Sequence, residues 1–288
     1  RSQIESLSRH GVASEVVEIP GDRSKLNYLR ALALLPARAR ARRYDLVHIH
    51  FGYSAMAAVG IRHLPIVLSF CGDDLLGRPN EQGQRTRFSL ALASLGKRVA
   101  WKSDAIIVKS EEMAAALGSG YADVAVIPNG VDLELFQPLP REQARTALGW
   151  PLHEAIVLFP ANPEEPRKNF ALAKAVHARL QSSGRTVRLE SMYGRPQRDI
   201  ILAMAAADVM LSCSVQEGSP NVVKEAMAMN LPIVATDVGD CAERLAHCTP
   251  SAVLPTDLDA FVEATAAILN VGNRSNGRDC VQELSLDA

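Results

Sequence analysis

The chain has 288 residues, 48% of them hydrophobic, with a formal net charge of -1 and an isoelectric point near 6.7. That length holds two ordinary domains, each with its own core, and the near-neutral balance excludes a basic polyanion-binding surface spread over the molecule, so no nucleic-acid partner is expected. The five cysteines, at 71, 213, 241, 248 and 280, form no C-x-x-C pair and suggest neither a disulfide framework nor a zinc site.

A reducing, cytoplasmic setting fits that cysteine usage. No apolar run approaches the roughly 18 to 20 residues that a membrane-spanning helix needs, and the opening RSQIESLSRHG has no signal-peptide core.

In chain order, short apolar runs alternate with longer helix-like segments. The first series of predicted strands is EVVEI (15–19), DLVHIH (45–50), PIVLSF (65–70), DAIIVK (104–109) and DVAVIP (123–128). The second is AIVLFP (155–160), TVRLES (186–191), DVMLSC (208–213), PIVATD (232–237) and SAVLP (251–255). Near-continuous apolar strands separated by helices predict two doubly wound, parallel-sheet α/β domains. The segment at 128–151 holds four prolines and no strand pattern, and reads as the connection. The expected domains are 1–137 and 138–288, with the last residues returning toward the first. The opening inside a helix-like segment and the close on DCVQELSLDA read as a fragment cut at both ends, its first domain incomplete. In such sheets ligands sit beyond the carboxyl ends of the strands, here in a cleft between the domains.

Residues 217–225, EGSPNVVKE, place a Ser-Pro helix start between two acids. Ser219 suits an N-cap and Pro220 the first helical position. The free amides from Ser219 to Val222, at the positive end of the helix dipole, make a phosphate site. Glu217 precedes that mouth, and Glu225 lies roughly 7 to 8 Å along the axis from Pro220 at 1.5 Å per residue. Carboxylates near a phosphate are unfavourable unless they face hydroxyls. A ligand with a phosphate centre and hydroxyl-rich flanks, as in a nucleotide-sugar, satisfies both. The bland alternative pairs Glu225 with Lys224 or Arg244 on a solvated face.

EGSPNVVKEAMAMNLPIVATDVGD resembles the E-x7-E donor-binding signature of the family 4 glycosyltransferases, retaining enzymes of the B-type glycosyltransferase fold with two Rossmann-like domains. DLVHIHFGYSA, PIVLSFCGDDLLG, VIPNGVDLELF and PEEPRKNF match in order, so the similarity runs over nearly the whole chain. The resemblance implies that Glu217 contacts donor-sugar hydroxyls, Glu225 the ribose, and the amides of residues 218–222 the diphosphate. It also implies a basic pair on the diphosphate. Lys168 stands at the lysine position, whereas the arginine position six residues earlier holds Asn162; adjacent Arg167 is expected to substitute. No cofactor and no metal ion are expected. The implied donor is a UDP- or GDP-sugar, and the implied acceptor a sugar or lipid-linked sugar of bacterial cell-surface polysaccharide or glycolipid synthesis.

On the acceptor side the candidates are His50, Cys71, Gly72, Asp73 and Asn129. Cys71 stands where the family often has histidine, and Asp73 and Asp74 are adjacent rather than a metal-binding D-x-D. His48 and His50 share a strand face, either packed or lining the cleft, and no third metal ligand accompanies them. Asn129 and Gly130 suit a turn that Asp132 caps. Arg38, Arg40, Arg42 and Arg43 form either a solvated helix end or a contact for anionic lipid at the inner membrane face. A dehydrogenase needs G-x-G-x-x-G between strand and helix, which GSGYAD (118–123) does not supply. A nucleotide-sugar epimerase and a non-catalytic donor-binding fragment are the remaining alternatives.

Overall fold

The structure is a computed structural model and describes residues 2–20, 26–80, 84–121 and 123–286. The chain divides into two compact units between Pro128 and Asn129.

The first unit contains α1 (Ser2–Arg9), α2 (Leu26–Ala41), β1 (Val47–His50), a 3-10 turn (Gly52–Ala58), β2 (Ile66–Ser69), α3 (Asp73–Leu76), α4 (Arg87–Ala100), β3 (Ala105–Val108), α5 (Glu111–Leu117) and β4 (Val124–Val126). Its parallel sheet follows chain order, β1-β2-β3-β4. Alternation along the strands sends Ile49, Ile66, Leu68, Ile106 and Val108 into one core with Phe70, Leu75, Ala100 and Met113. His48, His50, Ser69 and Ile107 therefore belong to the other face. A cavity of about 590 Å³ opens at the amino-terminal edge of this sheet, among Arg62, Pro65, Lys102 and Asp104.

The predicted strand at 15–19 does not form. Residues 12–20 have no regular structure, and Val12, Val16 and Val17 are exposed. The segment is held instead by Glu15, which accepts hydrogen bonds from Arg38, from Arg42 at 2.5 Å and from the Tyr44 hydroxyl at 2.5 Å. β-Branched residues only extend the chain; a strand also needs a neighbour with free backbone groups. Two of the four arginines of the basic run are thus tied to Glu15, leaving Arg40 and Arg43 exposed.

The second unit contains α6 (Arg141–Leu148), β5 (Ala155–Phe159), a 3-10 turn (Pro166–Lys168), α7 (Phe170–Ser182), β6 (Val187–Ser191), α8 (Gln197–Ala206), β7 (Val209–Ser212), α9 (Asn221–Ala228), β8 (Ile233–Thr236), α10 (Cys241–Leu245), β9 (Ala252–Leu254), α11 (Leu258–Val271), α12 (Gly277–Cys280) and a last 3-10 turn (Gln282–Leu284). Its parallel sheet runs β6-β5-β7-β8-β9. Ile156, Leu158, Met210, Ile233 and Ala235 face one core with residues of α8 and α9, while Val157, Phe159, Val209, Leu211 and Val234 face another with α7 and α11. Both faces are covered, which explains why β7 and β8 are buried at every residue.

The domain boundary expected at 137/138 falls nine residues earlier because the connection packs on the second unit. Val131 donates to the Leu284 carbonyl at 2.8 Å and accepts from Leu286 at 3.1 Å, and Phe136 is buried in the second core. Arg278 donates to the carbonyls of Leu133, Phe136 and Ala228. Residues 277–286 therefore lie with the connection and α9 in the second unit. Asp132 caps the turn as expected, accepting from the amides of Glu134 and Leu135.

Ion pairs from Arg141 and Arg145 to Asp208 tie α6 to the sheet. Arg145 is 3% exposed; it donates to Asp208 at 2.7 Å and to the carbonyls of Leu152, Glu154 and Ala206, while Asp208 also accepts from the Ile156 amide at 2.7 Å. Removing Asp208 strands a buried guanidinium and frees an amide at the start of β5. Asp208→Ala is expected to destabilise the second unit by about 3 to 5 kcal/mol, read as a loss of urea midpoint by tryptophan fluorescence.

Candidate functional site

The second sheet reverses its winding between β5 and β7, the strands from which the chain departs in opposite directions. Loops leaving the carboxyl ends of two such strands diverge and leave a crevice, the usual ligand position in this architecture. The loop after β5 carries Arg167 and Lys168; the loop after β7 carries Glu217, Gly218, Ser219 and Pro220.

These loops meet. The Val215 amide donates to the Arg167 carbonyl at 2.9 Å. Arg167 donates to Glu217 Oε2 at 2.8 Å and to the Gln216 carbonyl at 3.0 Å, and it pairs with Glu165 at 3.0 Å. Lys168 Nζ donates to Glu217 Oε1 at 2.5 Å. Burial opposes ionisation of Glu217, but the charges of Lys168 and Arg167, with hydrogen bonds from Lys168 and Ser214, outweigh it and hold the carboxyl below its ordinary value. Asn162, at the position expected for the family arginine, uses its Oδ1 to accept the Glu164 amide at 3.0 Å and shapes the turn.

The helix start differs from the expectation by one residue. α9 begins at Asn221, Pro220 is the flanking residue, and no side chain caps its first turn. Ser219 does not act as N-cap because its hydroxyl is engaged elsewhere: it donates to Asp240 Oδ2 at 2.8 Å and accepts from Lys224. Lys224 is wholly buried and lies 3.3 Å from Asp240, an arrangement invisible in the sequence, where a lysine in a first helical turn reads as solvated. The uncapped amides of the first turn keep the anion-binding character of a helix start. Gly239, with φ of +61°, brings the next loop against it; a Cβ there would sit 2.7 Å from the Gly218 carbonyl oxygen.

Glu225 is half-buried. Among the described residues its carboxylate accepts no hydrogen bond, so the alternative pairing with Lys224 or Arg244 does not occur. Burial pushes Glu225 up to about 6, against the pull of Lys224. An ionised acid in that position is satisfied by donors brought from outside, such as hydroxyls. Val222 flanks it, partly buried against the core, and Asn221 Oδ1 accepts from Asn129 Nδ2 at 2.9 Å. Asn129 is thereby a brace of the α9 start in the second unit.

In the first unit the acceptor-side candidates gather at the carboxyl edge of the sheet. His50 ends β1, and Cys71, Gly72 and Asp73 follow β2 into α3. Gly72 has φ of 142°, a conformation that side chains avoid. The organiser is Asp74, which sequence reading set aside: wholly buried, it accepts from the amides of Gly52 at 2.5 Å, Cys71 at 2.9 Å and Gly72 at 2.8 Å. His48 stacks on His50 at 4.2 Å between ring centroids and bonds Ser69 Oγ at 2.8 Å, the packed alternative. Among the described residues no group of three or more His, Cys, Asp or Glu is placed to hold a metal ion, and no helix is long and apolar enough to cross a membrane.

Residues 2–135 match the family described as Glycosyltransferase Family 4, and residues 161–271 match the one described as Glycosyl transferases group 1. The chain belongs to the family 4 glycosyltransferases. It is 27% identical over 241 residues to a Bacillus subtilis (strain 168) glycosyltransferase named for teichuronic acid biosynthesis, TuaC, covering 76% of this chain and 60% of that protein. It is 25% identical over 243 residues to the D-inositol 3-phosphate glycosyltransferase of Corynebacterium diphtheriae, covering 70% of this chain and 57% of that one. The chain thus spans about three fifths of the length of these curated relatives. Sucrose-phosphate synthase from Thermosynechococcus elongatus superposes with a TM-score of 0.75 at 22% identity, over 94% of this chain and 77% of that one. Anabaena HepE in complex with UDP-glucose does so with a TM-score of 0.69 at 20% identity, over 97% and 84%. These likenesses identify the two units as the Rossmann-like units of the B-type glycosyltransferase fold.

Glu225 gives this site a signature in pH. Its folded value of about 6 exceeds the ordinary 4.5, so the fold favours the protonated acid. That preference contributes fully below pH 4.5 and is lost as pH rises through 6, above which the ionised group is a penalty of about 2 kcal/mol. Glu225→Gln is therefore expected to raise the urea midpoint at pH 8 and to lose that advantage at pH 4.5, while weakening any hydroxyl-bearing ligand.

Proposed function

We propose that the second unit binds a nucleotide-sugar, a UDP- or GDP-sugar, and that the chain transfers its sugar to a hydroxyl acceptor with retention of configuration. The observation that carries this reading is the convergence of Arg167, Lys168 and Glu217 at the β5/β7 reversal, beside an uncapped helix start and an unpaired Glu225.

In this reading the diphosphate lies against the amides at Gly218, Ser219, Asn221 and Val222 and draws Arg167 and Lys168 from Glu217. A carboxylate so released accepts from the hydroxyls of the transferred sugar, and Glu225 accepts from the ribose. The two cations then offset the charge that grows on the leaving diphosphate. Preorganised charge of this kind is worth several kcal/mol in a water-poor site. The acceptor attacks from the face the diphosphate leaves, and the departing phosphate helps to remove the acceptor proton. With two cations and helix amides answering the diphosphate, the reaction needs no metal ion. The Bacillus subtilis relative is named for teichuronic acid biosynthesis, which supports an acceptor belonging to cell-surface polysaccharide synthesis.

A thermal-shift screen with UDP, GDP and ADP sugars identifies the donor, since a ligand at one hundred times its dissociation constant adds about 2.7 kcal/mol of stability. Arg167→Ala and Lys168→Ala are each expected to lower turnover by about 100-fold or more. Turnover unchanged in Arg167→Ala but abolished in Lys168→Ala overturns the arginine's role, and binding without turnover makes the chain a donor-binding unit only. Turnover is expected to survive EDTA.

A further inference from the structure

The carboxyl edge of the first sheet carries a cation with nothing to hold. Lys109 directly follows β3 and is only 7% exposed, yet among the described residues its ammonium has neither a hydrogen bond nor an ion pair. Alternation from the core residues Ile106 and Val108 places Lys109 on the face opposite the core, with Ile107. Register brings the same face of its neighbours alongside: Ser69 pairs with Ile107 and His50 with Ser69. His48, His50, Ser69, Cys71 and Lys109 thus share one face at the strand ends where ligands enter such sheets.

The carboxylate whose charge reaches Lys109 makes no bond to it. Asp74 already accepts from three backbone amides, at Gly52, Cys71 and Gly72, so its demand is met from its own loops. Lys109 keeps three donors, and each imidazole has one N–H to give in its neutral form. At the ends of β1 and β3 the side chains of His50 and Lys109 have no hydrogen-bond partner among the described residues and His48 has only the Ser69 hydroxyl, at 2.8 Å; such a group of donors suits a compact anion.

We propose that Lys109, His48 and His50 form an anion subsite, and that the acceptor presents there a phosphate monoester or a carboxylate. The acceptor assignment rests on the transferase reading above; the anion subsite itself does not.

The protonation of the cluster supports this geometry. Burial lowers His48 to about 4, helped by His50 and Lys109, and burial followed by Lys109 lowers His50. Burial also lowers Lys109, while Cys71 and Asp74 pull it up. Asp74 is itself raised by burial against its amide bonds. An added anion favours the charged forms of all three cationic groups. Protons are then taken up as the anion binds, and affinity falls as pH rises.

The test follows the histidine ring signals of the full chain by NMR while pH is varied, at fixed ionic strength in chloride. Inorganic phosphate and glucuronate separate the two anion classes, and glucose controls for hydroxyls. The expected result is that one or both anions raise the His48 and His50 midpoints by about one pH unit, a tenfold change in proton affinity. The Lys109→Met variant is expected to abolish that rise. No rise in the native chain, or an equal rise in Lys109→Met, overturns the proposal. Should Lys109→Met lose its native spectrum, His50→Gln serves: its exposed ring leaves the fold intact, and phosphate affinity at pH 6 is expected to fall at least tenfold. Unchanged phosphate affinity in that variant overturns the proposal equally. Stabilisation by UDP, measured on the same samples, reports the donor site alone, so failure of the donor reading and failure of the anion subsite appear as separate results.

Discussion

Two cations from the loop after β5 meet one carboxylate from the loop after β7, and most of the second unit can be read as what allows that meeting. Arg167 and Lys168 are held on one side by a 3-10 turn that follows the tight turn Asn162 shapes, and Glu217 on the other by the close approach of Gly239 to Gly218. Burial alone would raise the Glu217 carboxyl; the cations hold it below its ordinary value. The pair is therefore a poised arrangement. Separating its members without a replacement partner for each would leave a buried charge uncompensated.

Behind this arrangement lies a second polar layer. Ser219, Lys224 and Asp240 are buried together under the site, and Asp240 Oδ1 and the Arg244 Nε have no hydrogen-bond partner there among the described residues, although Arg244 Nε lies 3.7 Å from Asp240 Oδ2. Such a network is costly to bury, and it fixes the loop that leads into α9 instead of letting Ser219 cap the helix. The uncapped start and the unpaired Glu225 both subtract from stability. A site that has satisfied every polar group internally has nothing left to offer a ligand, so these deficits fit a binding role.

The first unit uses a carboxylate differently. Asp74 gathers three amides and fixes the turn from β2 into α3, where Gly72 and Asp73 stand. The sheet's two faces contrast: one is a continuous apolar core, the other carries His48, His50 and Lys109 at its carboxyl end. The extended run at 15–19 shows the limit of reading strands from composition, since its valines stand in solvent while Glu15 holds it to the end of α2.

Much of the fold was legible because parallel, doubly covered strands must be apolar on both faces, a demand that local sequence meets openly in AIIV, AIVLF, VMLS and IVAT. The motif EGSPNVVKE likewise disclosed a helix start with acids on either side. What the sequence by itself determined was thus the alternation of strand and helix, the loops that follow β5 and β7, and the family. Tertiary structure alone decided the rest: that Ser219 turns to Asp240 rather than capping α9, that Arg167 shares Glu217 with Lys168, that residues 129–137 join the second unit, and that Lys109 and Lys224 are buried. The physical reason is that apolar periodicity is a property of neighbours along the chain. The partner of a buried charge, by contrast, is set by which loops a sheet brings together, and those loops lie tens of residues apart.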